Sequence, residues 1–179
     1  PQNSMNPKEY AEHLINLIPD TVQVLVGHSF GGKIAVHMSF IREYKKLVLI
    51  GTPLIRKNPQ RNLSFRLNLY KFLNSLNLFS DKSIEKYKNK YGSEDYKNVA
   101  GIMRDTLVKT VNDDLSQLLE KVNTKVELIW GERDTVIPLS IGEEANTKLK
   151  ESKLTIIKNE GHNMLKSKSD QIIRVLEEL

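Results

Sequence analysis

Cysteine is absent from the 179-residue chain, which excludes disulfide bonds and thiolate metal sites. This absence suits a reducing compartment, and we therefore expect a cytoplasmic protein. The histidines, aspartates and glutamates also lack metal-ligand spacing such as HExxH. We therefore expect no metal ion and no other cofactor.

Long apolar runs are missing as well. No stretch reaches the roughly 18–20 apolar residues that a membrane-spanning helix requires, so we expect no membrane span. The opening sequence, PQNSMNPKEY, contains neither the apolar core of a secretory signal nor a methionine at position 1. These features indicate that the chain begins inside a longer parent sequence.

The excess of positive charge is confined to the middle of the chain. The net charge is +5, and residues 52–124 contain 13 Lys and Arg against 8 Asp and Glu, whereas the remainder is balanced. Two interpretations stay open: a solvated, lysine-rich helical surface, and a preference for anionic substrates. No nucleic-acid-binding motif accompanies the charge, so we expect no nucleic-acid partner.

Apolar, β-branched runs alternate with helical patterns along the chain. The runs predicted as buried strands are TVQVLVG at 21–27, KLVLIG at 46–51, KVELIWG at 125–131 and KLTIIK at 153–158. Apolar residues at helical spacing predict helices at 7–18, 30–42, 140–150 and 169–179. Successive strand, helix and strand form parallel βαβ units, so we expect an α/β fold: a parallel sheet with flanking helices.

The segment 52–124 interrupts this alternation and is rich in Lys, Asn and Leu. Apolar stripes at helical spacing predict several short helices within it, at 65–76, 99–107 and 115–119. The chain therefore divides into a core, formed by 1–51 and 125–179, and an inserted helical segment. Insertions into such scaffolds lie at strand ends, where ligands bind.

The sequence GHSFG at 27–31 matches GxSxG, and Gly32 follows it. The motif lies between a predicted strand and a predicted helix, as a nucleophile elbow requires. Small residues two before and two after Ser29 leave room for the sharp turn. The helix amino terminus supplies partial positive charge, and the backbone N–H of Phe30 can donate to an oxyanion. A Gly-rich, phosphate-binding turn is the alternative interpretation.

Asp134 and His162 lie just past the third and fourth predicted strands. Because the carboxyl ends of parallel strands lie at the same edge of a sheet, we expect both beside Ser29. Each alone is an ordinary loop residue, but the chain order Ser, Asp, His is that of an α/β-hydrolase triad. We therefore predict a catalytic triad of Ser29, Asp134 and His162. We expect His28 to point away from the nucleophile.

These segments together resemble the α/β-hydrolase superfamily, in its branch of small, cap-bearing serine esterases and related hydrolases. LVGHSFGG, LVLIGTP, LIWGERDTVIP and EGHNM look like its signature segments in the right order. The resemblance implies that 52–124 is a helical cap over the active site. It also implies a serine hydrolase acting on a carboxylic ester or related acyl compound. Thioesterases, amidases, C–C hydrolases and perhydrolases share this triad, so the bond that is cleaved stays open.

The resemblance also indicates an N-terminal truncation. Family members carry further strands before the nucleophile strand, and a loop there supplies a second oxyanion donor that residues 1–20 do not offer. The four strands here resemble the fifth to eighth of the usual eight. Strand 21–27 would then form an exposed apolar sheet edge, which favours self-association. The alternative function is a catalytically impaired hydrolase that binds a small molecule or a protein.

Overall fold

The computed structural model of the protein describes residues 3–56 and 101–177. Its sheet has four parallel strands in the order β1 (Val24–His28), β2 (Lys46–Ile50), β3 (Lys125–Gly131) and β4 (Ser152–Ile157). The predicted parallel α/β architecture is confirmed. The first strand begins three residues later than predicted, because its pairing with β2 starts at Val24, which lies opposite Lys46.

Helices connect the strands in the predicted places. They are α1 (Pro7–Leu14) with a 3₁₀ turn (Ile15–Leu17), α2 (Phe30–Met38), α3 (Gly101–Asn112), α4 (Ser116–Leu119), α5 (Leu139–Lys148), α6 (Met164–Ser167) and α7 (Ser169–Glu177). A capping box starts α1: Asn6 Oδ1 accepts the Glu9 N–H at 2.8 Å, and Glu9 Oε2 accepts the Asn6 N–H at 2.6 Å. Helix α2 ends before position 42, where the chain turns so that Arg42 donates to the carbonyl oxygens of Ile15 and Ile18.

The part of the second predicted stripe from 101 onward, and the third predicted stripe, fall on described helices of the segment 52–124. These helices are α3 and α4, and the buried Leu115 and Leu119 fix the second of them in the core. The first stripe, at 65–76, lies outside the described residues, so the extent of the inserted segment stays a prediction. None of the described helices is long and apolar enough to cross a membrane.

Side chains alternate across the sheet and form two apolar layers. Leu47 and Leu49 of β2 pack into the layer beneath α1, α2, α4 and α5. Val48 and Ile50 of the same strand pack into the layer beneath α6 and α7. This period of two is what a parallel strand covered on both faces requires. The two layers hold the carboxyl ends of the four strands together at one edge.

Strand β1 forms one edge of the sheet and is covered unevenly. Leu25 is buried, whereas Val24 and Val26, which point to the opposite face, are 41% and 52% exposed. Exposed β-branched residues on an edge strand are a surface to which another chain can add.

Candidate active site

The turn from β1 to α2 holds Ser29 in a strained conformation. Its backbone has φ 51° and ψ −114°, outside the regions that side-chain-bearing residues favour. The Ser29 N–H donates to the carbonyl of Ile50 at 2.9 Å, and the Gly32 N–H donates to the carbonyl of Ser29 at 3.1 Å. Such a conformation costs about 1–3 kcal/mol, and strain of this kind clusters at functional sites. The predicted sharp strand-to-helix turn is therefore present at Ser29, and the role of Ser29 as a nucleophile stays a prediction.

Two glycines make this turn sterically feasible. A Cβ on Gly27 would lie 2.6 Å from Gly31 O and Gly32 N, and a Cβ on Gly32 would overlap the side chain of Thr52. A Cβ on Gly31 would meet none of the described residues within 4 Å. The expectation that the turn needs a small residue two positions after Ser29 stays a prediction. Among the described residues, the close approach falls one position later, at Gly32, which packs against Thr52 just after β2.

Asp134 and His162 form a buried hydrogen-bonded pair. His162 Nδ1 lies 2.7 Å from Asp134 Oδ2, and the two residues are 4% and 5% exposed. The other carboxylate oxygen, Oδ1, accepts the N–H groups of Val136 at 2.9 Å and Ile137 at 2.7 Å. These two amides fix the carboxylate, and because it can only accept, Nδ1 carries the proton toward it. The lone pair of the neutral imidazole is then on Nε2, the atom that a general base uses.

Ser29 and the Asp134–His162 pair both lie beside the end of β2. Gly51, the residue after β2, has φ 50°, and a Cβ there would lie 3.1 Å from His162 Nδ1 and 3.3 Å from Asp134 Oδ2. The preceding carbonyl, of Ile50, binds the Ser29 N–H. The three predicted triad residues therefore lie at one edge of the sheet. Within the described part of the chain, the buried Ser29 Oγ has no hydrogen-bond partner.

His28 contacts the loop of His162, and the expectation that it points away from the nucleophile stays a prediction. Its Nε2 donates to the backbone carbonyl of His162 at 3.0 Å, and the two imidazole rings lie 4.9 Å apart. Burial lowers the pKa of His28, and the neighbouring His162 lowers it further. Because His28 is then neutral, a protonated His162 has no second positive charge next to it from His28. Sequence reasoning missed this contact because it crosses 134 positions of the chain.

The backbone N–H of Phe30 belongs to the first turn of α2. The N–H groups of a first turn have no partner inside the helix and carry partial positive charge. The Phe30 ring packs edge-on against Tyr10, with ring centroids 5.3 Å apart, so α1 holds this end of α2. Among the described residues, no group of three or more His, Asp or Glu side chains could hold a metal ion.

Known structures share this architecture. An α/β hydrolase from the metagenome of Mar Chica lagoon sediments in Morocco superimposes with a TM-score of 0.65 at 20% identity, over 97% of this chain and 68% of its own. This chain has the α/β-hydrolase fold. An esterase from Exiguobacterium antarcticum shares the fold with a TM-score of 0.71 at 16% identity, over 99% and 75% of the two chains. A meta-cleavage product hydrolase from Pseudomonas fluorescens IP01 gives 0.68 at 18% identity, over 99% and 73%.

Sequence comparison adds one relative. The chain is 30% identical over 160 residues to the uncharacterized hydrolase YugF of Bacillus subtilis (strain 168), which covers 78% of this chain. The chain spans 58% of the length of that relative. No family model matches the sequence. The α/β-hydrolase fold is therefore established, and the activity is inferred from the site.

Proposed function

We propose that this chain carries a serine hydrolase centre that acts on a carboxylic ester or a related acyl compound. The observation that supports it most strongly is the buried Asp134–His162 hydrogen bond at the same sheet edge as a strained serine, whose hydroxyl has no hydrogen-bond partner among the described residues. The proposal assigns Ser29 as nucleophile, His162 as general base and Asp134 as the residue that orients the imidazole. Similar proteins that are named hydrolases or esterases support the same chemical class.

The proposed reaction has two half-reactions. Ser29 Oγ attacks the acyl carbon while His162 Nε2 takes its proton, and the resulting imidazolium is stabilised by Asp134. The Phe30 N–H donates to the oxyanion. The tetrahedral intermediate collapses, His162 returns the proton to the leaving alcohol, and an acyl-enzyme remains. A water molecule, deprotonated by His162, then releases the acid and restores Ser29.

The location and the inserted segment belong to the same proposal. We infer that 52–124 contributes a cap over the site, since the segment leaves the sheet at the carboxyl end of β2 and its residues 114–115 return to hydrogen-bond with 54–56 there. The absence of cysteine supports a cytoplasmic location. The substrate is a small acyl compound, and we propose neither a metal nor a nucleic acid as a partner.

Hydrolysis of a panel of p-nitrophenyl esters of increasing acyl length tests the proposal. Ser29→Ala should lower kcat/KM by about 10³-fold or more, because the nucleophile is lost while the fold remains. Ser39→Ala is the matched control: its hydroxyl donates to the Val36 carbonyl at the far end of the same helix, and activity should be unchanged. Equal activity of wild type and Ser29→Ala would contradict the proposal. Cleavage of a vinylogous diketone in place of every ester would move the substrate to the C–C class.

The exposed face of β1 favours a second candidate function, in which the chain binds another copy of itself. Val24 and Val26 together offer an apolar edge that another copy of the chain could extend. Light scattering over a range of concentrations measures this association, and Val26→Lys should abolish it. A monomer at all concentrations would leave the hydrolase as the sole candidate.

A further inference from the structure

A buried amino group lies one helical turn after the nucleophile. Lys33 of α2 is 2% exposed, whereas lysines on helices are usually exposed to solvent. Its Nζ donates to the carbonyl of Thr110 at 2.8 Å and to the carbonyl of Asp113. The last carbonyls of a helix have no partner inside it, and these two lie at the end of α3. Lys33 therefore caps the helix through which the chain returns toward β3.

His37 makes a second contact with the same turn, one helical turn further along α2. Its Nε2 lies 3.0 Å from Asp113 Oδ2, and the two side chains are 9% and 20% exposed. Lys33 and His37 thus hold the turn 110–113 against one face of α2. We call these three side chains, Lys33, His37 and Asp113, the α2 clamp.

The segments 52–56 and 110–115, on either side of 57–100, contact each other next to the α2 clamp. The Leu115 N–H donates to the carbonyl of Leu54 at 3.0 Å, and the Arg56 N–H donates to Asp114 Oδ1 at 3.3 Å. Thr52, at the start of the same stretch, packs against Gly32 of α2. Segments 52–56 and 110–115 are therefore fixed to the helix that begins at the nucleophile elbow.

The electrostatics of Lys33 indicate a role beyond packing. Burial lowers the pKa of its amine from 10.5 to about 8; Asp113 and Asp114 counteract this shift, and Arg56 adds to it. Burying an ammonium group is costly, and an apolar side chain of similar volume is commonly as stable or more stable. A residue kept only for stability would not need the charge. The two carbonyl contacts, by contrast, fix both the position and the direction of the turn.

We propose that Lys33 and His37 are positioning residues for the serine centre, acting by locking the elbow helix α2 to the turn 110–113. The proposal rests on the proposed hydrolase function. A shift of about 1 Å in the position of a reacting group costs up to about 10²-fold in rate. Ser29 leads directly into α2, so a loosened clamp displaces the nucleophile relative to His162.

Labelling of Ser29 by a fluorophosphonate probe, combined with ester kinetics, tests the clamp. Lys33→Met should slow labelling and lower kcat by about tenfold or more, with KM within threefold of wild type. Lys125→Met is the matched control, since Lys125 is an exposed lysine at the start of β3, and it should behave as wild type. Hydrogen exchange of the amides at 30–33 and 113–115 should be faster in Lys33→Met than in wild type, and should be unchanged in Lys125→Met.

A second pair of variants keeps the test decisive where Lys33→Met does not fold. His37→Phe removes the contact with the Asp113 carboxylate, and labelling should slow by about threefold or more. His37→Gln offers an N–H donor at the same position and should restore most of the rate, which a packing role alone would not require.

Unchanged labelling and exchange in folded Lys33→Met would overturn the clamp while leaving the hydrolase proposal intact. A wild-type chain that takes no label would overturn the hydrolase proposal and, with it, the catalytic role of the clamp. Faster exchange at 30–33 without slower labelling would show a structural contact only, and would also overturn the positioning role.

Discussion

Asparagine in place of Asp134 changes the chemistry of the site while keeping its shape. The Asp134 carboxylate accepts two backbone N–H groups with Oδ1 and the His162 Nδ1–H with Oδ2. Asparagine can keep its carbonyl oxygen on the two amides, which leaves its NH₂ group facing His162. Since NH₂ only donates, Nδ1 must become the acceptor and the imidazole proton must move to Nε2. In that tautomer His162 cannot take the Ser29 proton.

The expected loss for Asp134→Asn is about 10⁴-fold in kcat, the size seen when a triad histidine is held in the wrong tautomer. This loss corresponds to about 5 kcal/mol of transition-state stabilisation. The stability should fall far less, because both backbone amides keep their acceptor. Asp134→Ala leaves those amides without it and should cost about 2 kcal/mol or more in unfolding free energy. Asp170→Asn, on the exposed start of α7, is the matched control.

The assay pairs ester kinetics with thermal or urea unfolding of each variant. We expect Asp134→Asn to be folded and nearly inactive, and Asp134→Ala to be both inactive and less stable. An Asp134→Asn enzyme within tenfold of wild-type kcat would refute the tautomer argument. Equal destabilisation by both substitutions would refute the assignment of Oδ1 to the two amides.

Three further perturbations follow from the same geometry. Gly51→Ala places a methyl group against the Asp134–His162 pair at a positive φ, so kcat should fall about 10–100-fold. The control is Gly31→Ala, whose methyl group would meet none of the described residues. Between about pH 8 and 10.5 the native state releases the Lys33 proton that the unfolded chain keeps. Wild-type stability should therefore rise relative to Lys33→Met across that interval, by up to about 3 kcal/mol in urea titrations. His28→Gln keeps an N–H donor for the His162 carbonyl but cannot be protonated. It should retain activity and reduce the stability lost as the pH falls below about 6.5, seen in melting curves.

The general position of the candidate site could be predicted because parallel strands share one carboxyl edge. Ser29, Asp134 and His162 each follow a strand whose apolar, β-branched residues identify it, so their convergence follows from topology alone. The catalytic role of the three stays a prediction, since geometry shows the contact of Asp134 with His162 and not a reaction. Strand ends were predicted less well, because pairing with a neighbour decides them, as at Val24.

Contacts between segments distant in sequence could not be predicted. His28 meets His162, and Lys33 meets Thr110, only after the sheet has assembled. A helical lysine is usually solvated, so nothing in the local pattern around Lys33 indicates that it is buried. The close packing at Gly32 likewise could not be predicted, because it depends on where Thr52 packs against α2 in the folded chain.

Mass spectrometry of the chain after treatment with a fluorophosphonate tests the central proposal most directly. An activated Ser29 Oγ attacks phosphorus and displaces fluoride, which leaves a stable adduct on that residue. We expect one adduct, on Ser29, that is absent in Ser29→Ala and strongly reduced in His162→Ala. A folded wild-type chain that takes no adduct, or takes it at another residue, would contradict the assignment of Ser29 as a nucleophile activated by His162.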